Sequence, residues 1–188
     1  WGGKVIHDVV SIRHAVKAAQ AKVDGLILVC GGAGGHTGQL NPFAFVPQIR
    51  EFWDGLLIVG GSVTHGQTVR ALEVLGADMS YIGSRFIATE ESMASHEYKQ
   101  VLLDSQASDV VLSPLFSGVP AHYLKASIAR AGLDPEQYTA EEVKIKNIKA
   151  WRDVWSAGHG VGSITDVIPA AQLVERLAQE YQTALQRP

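Results

Sequence analysis

A single cysteine, Cys30, leaves this 188-residue chain without the means for an internal disulfide. It closes an apolar run and reads as a small buried hydrophobe in a reducing compartment. An excess of positive charge is also missing. The net charge of −3 argues against the basic surface that nucleic acid or an anionic membrane would select. No apolar run approaches the roughly 20 residues that span a bilayer. The start shows no charged segment followed by an apolar one, as a secretory leader would. Together these absences lead to the expectation of a cytoplasmic protein. No group of His, Cys, Asp and Glu has metal-ligand spacing, so no metal is expected. Neither a Gly-x-Ser-x-Gly elbow nor a Walker loop occurs. The chain opens on Trp1 in place of Met, as expected of a processed chain or of part of a longer one.

Glycine is what the sequence has in quantity, and it is placed with a pattern. Three glycine-rich turns each follow a short apolar run: Gly31-Gly32-Ala33-Gly34-Gly35-His36-Thr37-Gly38, Gly60-Gly61-Ser62 and Gly83-Ser84-Arg85. Parallel sheets build ligand sites from such turns at the carboxyl ends of their strands. Strands are expected at residues 4–10, 25–30, 56–59 and 79–82. Helices are expected over 12–22 after Ser11, from Asn41-Pro42 to about Phe52, and from Thr64 to a C-terminal glycine at Gly76. Four such units in about 100 residues match the rhythm of a (β/α)₈ barrel.

Past residue 106 the rhythm stops. Helices are expected at 95–104, 120–132 and 169–186, with a short apolar run at 109–112. Residues 134–148 are polar and charged and read as an exposed excursion. Trp151 and Trp155 are four apart and are expected on one helix face. The division is thus 1–106, carrying the glycine loops, and 107–188, a mostly helical C-terminal extension.

His36 is the leading candidate for proton transfer, because glycines flank it at a strand end and a free imidazole titrates near neutrality. Gly60-Gly61 and Gly83-Ser84 are candidates for an anion cradle built from backbone N–H groups. His159, between Gly158 and Gly160, is a weaker candidate. His14, His65, His96 and His122 read as surface or capping residues, and Glu90-Glu91 as solvated or capping. His7 and Asp8 alternate on the first strand, one facing inward and the other away.

The run Gly34-Gly35-His36-Thr37-Gly38, then Phe45-Val46-Pro47-Gln48-Ile49-Arg50, Gly60-Gly61, Leu75-Gly76-Ala77-Asp78 and Gly83-Ser84-Arg85-Phe86-Ile87-Ala88-Thr89-Glu90-Glu91-Ser92 resembles the nitronate monooxygenases, also called 2-nitropropane dioxygenases. Tyr98-Lys99 and Ala157-Gly158-His159-Gly160-Val161-Gly162 extend the likeness over most of the chain. The resemblance implies an α/β fold, an FMN-binding (β/α)₈ TIM barrel of which this chain holds strands five to eight plus a C-terminal extension. It implies His36 as catalytic base. It implies Gly34, Gly35, Gly60, Gly61, Tyr81, Ile82, Gly83 and Ser84 as cofactor-binding positions. It implies oxidation of alkyl nitronates, and of nitroalkanes, by O₂ to a carbonyl compound and nitrite.

Two positions depart from the family pattern: Val29 stands where many relatives have Gln or Asp, and Asp8 where some have lysine. The same motifs resemble the flavin-dependent enoyl-acyl-carrier-protein reductases, the alternative reading. A barrel takes about 250 residues. A second alternative is therefore a non-catalytic fragment, or a half-barrel completed by an N-terminal half or by a homo-oligomeric partner.

Overall fold

The computed structural model describes residues 2–186. The first part is a run of βα units. Strand β1 (Ile6–Val9) leads to helix α1 (Ile12–Gln20), whose first turn is capped by Ser11 Oγ accepting from His14 N–H. Strand β2 (Gly25–Val29) is followed by a long glycine loop holding the two-residue strand β3 (Gly35–His36). Helix α2 (Pro42–Arg50) starts on Asn41 as N-cap with Pro42 at its first position. Strand β4 (Leu56–Gly60) precedes α3 (Gly66–Leu75), which ends at Gly76 in the left-handed conformation with φ +118°. Strand β5 (Met79–Tyr81) runs into the short helix α4 (Ser84–Ile87).

All four principal strands pair in parallel in the order β1-β2-β4-β5. Parallel strands buried on both faces need continuous apolar runs. Leu26, Leu28, Leu57 and Val59 fill one face, fully buried against Phe45, Val46 and Ile49 of α2, and Ile27, Val29 and Ile58 on the other face are half-buried. The parallel pairing expected from the βα rhythm is therefore present, and the glycine turns gather at one end of the sheet. The outer strands β1 and β5 each pair on one side, and Ile6, Met79 and Tyr81 are exposed along them.

The C-terminal part contains sheet as well as helix, which corrects the purely helical reading of residues 120–132. Helix α5 (His96–Asp104), capped by Ser95, is followed by strand β6 (Val110–Ser113), strand β7 (Ala121–Leu124) and helix α6 (Lys125–Arg130). β6 and β7 are antiparallel, and β7 also pairs antiparallel with β3, in register Gly35 to His122 and His36 to Ala121. All four β7 residues are buried, so no alternation marked them as a strand.

Residues 134–148 are partly folded in. Helix α7 (Ala140–Ile145) has a Thr139–Glu142 capping box, and Val143 and Ile148 are buried. Helix α8 (Ala170–Leu185) packs on α3, where Glu180 Oε2 accepts from Gly66 N–H and Tyr181 donates to Glu73. Its N-terminal amide at Ala170 is held by the Glu91 carboxylate, a capping role for that residue. Arg85, 3% exposed, pairs with Asp166, which also takes Arg176. Among the described residues no helix is long and apolar enough to cross a membrane.

Candidate functional site

The carboxyl ends of β2, β4 and β5 and the turn at 156–160 enclose a cavity of about 400 Å³, within the range of small-molecule sites. Gly34, Gly35 and His36 line it from the first glycine loop, and Gly60 and Gly61 from the second. Tyr81, Gly83 and Ser84 line it from the third. Of the expected cofactor positions only Ile82 turns away, its side chain packing on the core beneath the sheet. Asp8 and Val29, the two departures from the family pattern, both line the cavity. His7 does not.

The first loop is tied down at several points. Thr37 Oγ1 donates to Cys30 O, and Gly31 N–H donates to Leu40 O. From the other side, β7 pairs with β3, and His122 Nδ1 lies 2.7 Å from Ala33 O. A carbonyl accepts only, so Nδ1 carries the proton. His122 is 5% exposed, which corrects its reading as a surface residue. Its ring lies 4.6 Å from that of His159. His159 itself is exposed and lies beside the cavity, outside its lining.

Burial, outweighing the Ala33 bond, lowers the His122 pKa from its ordinary 6.5, and the neighbouring His159 adds to the lowering. A folded-state pKa below the unfolded one gives stability that is present above the unfolded value and lost as pH falls through the folded one. Melting temperature is therefore expected to fall as pH drops below about 6.5 and His122 takes up its proton. His122→Gln, whose amide can still donate to Ala33, is expected to flatten that part of the profile. An unchanged wild-type-minus-variant difference across that range would remove His122 from the effect.

Strain collects at the same place. Among the described residues four non-glycine positions have positive φ, and two of them, Ser62 (58°) and Trp151 (64°), line the cavity. For a bulky residue such as Trp this is an unfavoured backbone, sustained by its surroundings. The Trp151 ring meets His36 edge-on, with centroids 5.1 Å apart and planes at 86°. Trp155 lies elsewhere, buried and stacked on Tyr98, so the two tryptophans do not share a helix face.

Ser156 is a site residue that the sequence reading missed. It lines the cavity, and its Oγ is buried without a hydrogen-bond partner among the described residues. Such an orphan costs about 1–3 kcal/mol unless a ligand or water satisfies it. Its neighbour Tyr98 donates to Ser156 O and accepts from Ser156 N–H, and burial pushes the Tyr98 phenol to about 12.

The cavity also has room where an anion would need it. A Cβ built on Gly83 would meet nothing within 4 Å. Ser84 Oγ accepts from Gly158 N–H and keeps its own proton to donate. At Gly61 φ is +132°, and a Cβ would stand 3.2 Å from Cys30 Cβ, so this glycine is required by the fold. Among the described residues no cluster of His, Cys, Asp and Glu could hold a metal.

Comparison with known proteins places this geometry. The nitronate monooxygenase family model matches residues 2–180. The chain belongs to the nitronate monooxygenase family. A probable nitronate monooxygenase of Bacillus subtilis is 27% identical over 192 residues, covering 90% of this chain and 55% of that protein. A nitronate monooxygenase of Paraburkholderia phytofirmans is 24% identical over 207 residues, covering 99% and 57%. The chain thus spans a little over half the length of these relatives. Among solved structures, FabK from Thermotoga maritima superposes with a TM-score of 0.81 at 26% identity, covering 98% of this chain and 63% of that one. A nitroalkane oxidase from Streptomyces ansochromogenes gives 0.78 at 25%, covering 98% and 59%. The chain shares the α/β fold of these solved structures.

Proposed function

We propose that this chain carries the substrate-facing part of an FMN-dependent enzyme that oxidises alkyl nitronates, and neutral nitroalkanes, with O₂ to a carbonyl compound and nitrite. The observation that carries the reading is His36. It stands on the cavity wall among glycine loops, on a strand held by its pairing with β7, in a chain of this family.

The residues fit a flavin. The wall at Gly83 is open, and the buried Ser156 Oγ has no partner among the described residues, so the amides of Gly83 and Ser84 would hold the phosphate and Ser156 another polar group of the cofactor. Gly34, Gly35, Gly60 and Tyr81 would pack along the rest of the group. Bound there, FMN would accept the electrons of the oxidation and pass them to O₂. His36 would take the proton from the carbon bearing the nitro group. Val29 gives this wall an apolar surface where many relatives are expected to be polar, which suits an alkyl substrate. Trp151 would shield the His36 ring from bulk water on one face.

The exposed edges of β1 and β5 are where the rest of a barrel would add strands, so activity is assigned to the assembled protein. The test is a pair of assays on the intact flavin-loaded protein. Nitrite release with O₂ uptake from an alkyl nitronate is expected. Oxidation of NAD(P)H driven by an enoyl thioester, without nitrite release, would favour the reductase reading instead.

A further inference from the structure

The hydrogen bonds around His36 distinguish its two nitrogens. Ser117 Oγ lies 3.0 Å from Val119 O, 3.1 Å from His36 Nε2 and a longer 3.3 Å from the Tyr123 hydroxyl. A serine hydroxyl has one proton and two acceptor lone pairs. The Val119 carbonyl can only accept, so the serine proton goes there. Ser117 Oγ is then an acceptor toward both other groups. Tyr123 is fully buried, and burial pushes its phenol pKa up, so it keeps its proton and donates. The remaining lone pair of Ser117 faces His36 Nε2, which must therefore carry hydrogen. A neutral imidazole has one N–H. Nδ1, on a ring that lines the cavity, is left with the basic lone pair, and among the described residues it has no hydrogen-bond partner.

We propose that Ser117 is a positioning residue that holds His36 in the Nε2–H tautomer, so that Nδ1 is the atom that takes the substrate's α-proton. This rests on the reading of His36 as the base. In the step the α-carbon–hydrogen bond breaks, the proton passes to Nδ1, and the electron pair stays on the substrate as the nitronate. The imidazolium so formed still donates from Nε2 to Ser117, now through a stronger, charge-assisted bond. Ser117 would thus steady the charged product of proton transfer without touching the substrate. The loop carrying it connects β6 to β7, and β7 pairs with the strand holding His36. One small sheet sets both the height of the imidazole and its tautomer.

The tautomer can be read directly by long-range nitrogen–proton NMR on the intact protein labelled at its histidine ring nitrogens. The spectrum is taken above the imidazole titration, and His36→Gln identifies the signal. The Nε2–H form is expected in the wild type, a loss of that preference in Ser117→Ala, and its return in Ser117→Thr. In the same Ser117→Ala protein, kcat for a neutral nitroalkane is expected to drop roughly tenfold, about the value of one hydrogen bond to a charged group. KM and turnover of the preformed nitronate are expected to stay as they were. An Nδ1–H wild type, or an unaltered tautomer in Ser117→Ala, would overturn the assignment to Ser117 while leaving His36 as base. Undiminished nitroalkane turnover in His36→Gln would instead defeat the reading of His36 as base, and this proposal with it.

Discussion

His36→Ala is expected to lower turnover of neutral nitroalkanes by about 10²–10⁴-fold, the usual worth of a positioned general base. Preformed nitronates should be oxidised at close to the wild-type rate, because they have already lost the proton that His36 would remove. The asymmetry follows from geometry. His36 is exposed to the cavity, and its protein partners are Ser117 at Nε2 and the edge of Trp151. Removing the imbalance of charge and proton demand by supplying the anion should therefore bypass the residue. Steady-state rates on the two substrate forms, compared in one buffer, check this. Equal losses on both would make His36 an orienting group and move the base elsewhere.

A second large effect separates binding from folding. A methyl group at Gly83 enters open space, and the backbone there has φ −106°, which any residue adopts. Gly83→Ala should leave the melting temperature almost unchanged. If a flavin phosphate occupies that space, the methyl displaces it from the amide cradle. Loss of one charge-assisted hydrogen bond, about 1.5–3 kcal/mol, then weakens flavin retention roughly 10–100-fold.

Gly34→Val is expected to behave differently. A Cβ at position 34 would stand 2.8 Å from Gly158 N and 2.9 Å from Ala157 C, both backbone atoms. That change drives two loops apart, so stability and flavin should be lost together. Flavin titration and thermal melts of the two variants check the contrast. Wild-type flavin affinity in Gly83→Ala would take the third glycine turn out of the phosphate site. Gly61 is a poorer probe than its motif suggests, because strain and the contact with Cys30 would mask any effect on binding.

The parts of the fold that local chemistry determines were legible in the sequence. Ser11, Asn41-Pro42, Ser95 and Gly76 each mark a helix end where they stand, because a cap is decided within three or four residues. The apolar runs of β2 and β4 were equally plain, since a strand with apolar residues on both faces stands out as a continuous run. What stayed hidden depends on contacts distant in sequence. Strand β3 is two residues long and exists because β7 lies beside it, so nothing local at Gly35-His36 reports it. His122 looked like a surface group, yet its partner Ala33 is 89 residues away. The spacing of Trp151 and Trp155 satisfied a helical rule, but Trp151 adopts φ +64°, which no helix contains.

In the candidate site, the glycine loops and His36 were readable because glycine restricts where a backbone can approach a ligand. Ser156 and Ser117 were not, because a lone serine carries no pattern. Only its unpaired oxygen or its partners, seen in three dimensions, single it out.

If the proposed function holds, this cavity brings an alkyl nitronate to a bound flavin. The most direct measurement is the visible spectrum of the intact protein, recorded anaerobically before and after adding an alkyl nitronate, and again on admitting O₂. A flavin spectrum is expected at the outset, with loss of its oxidised absorption on addition of the nitronate and recovery with nitrite in solution once O₂ enters. A bound flavin whose spectrum ignores the nitronate, yet bleaches with NAD(P)H, would contradict that function.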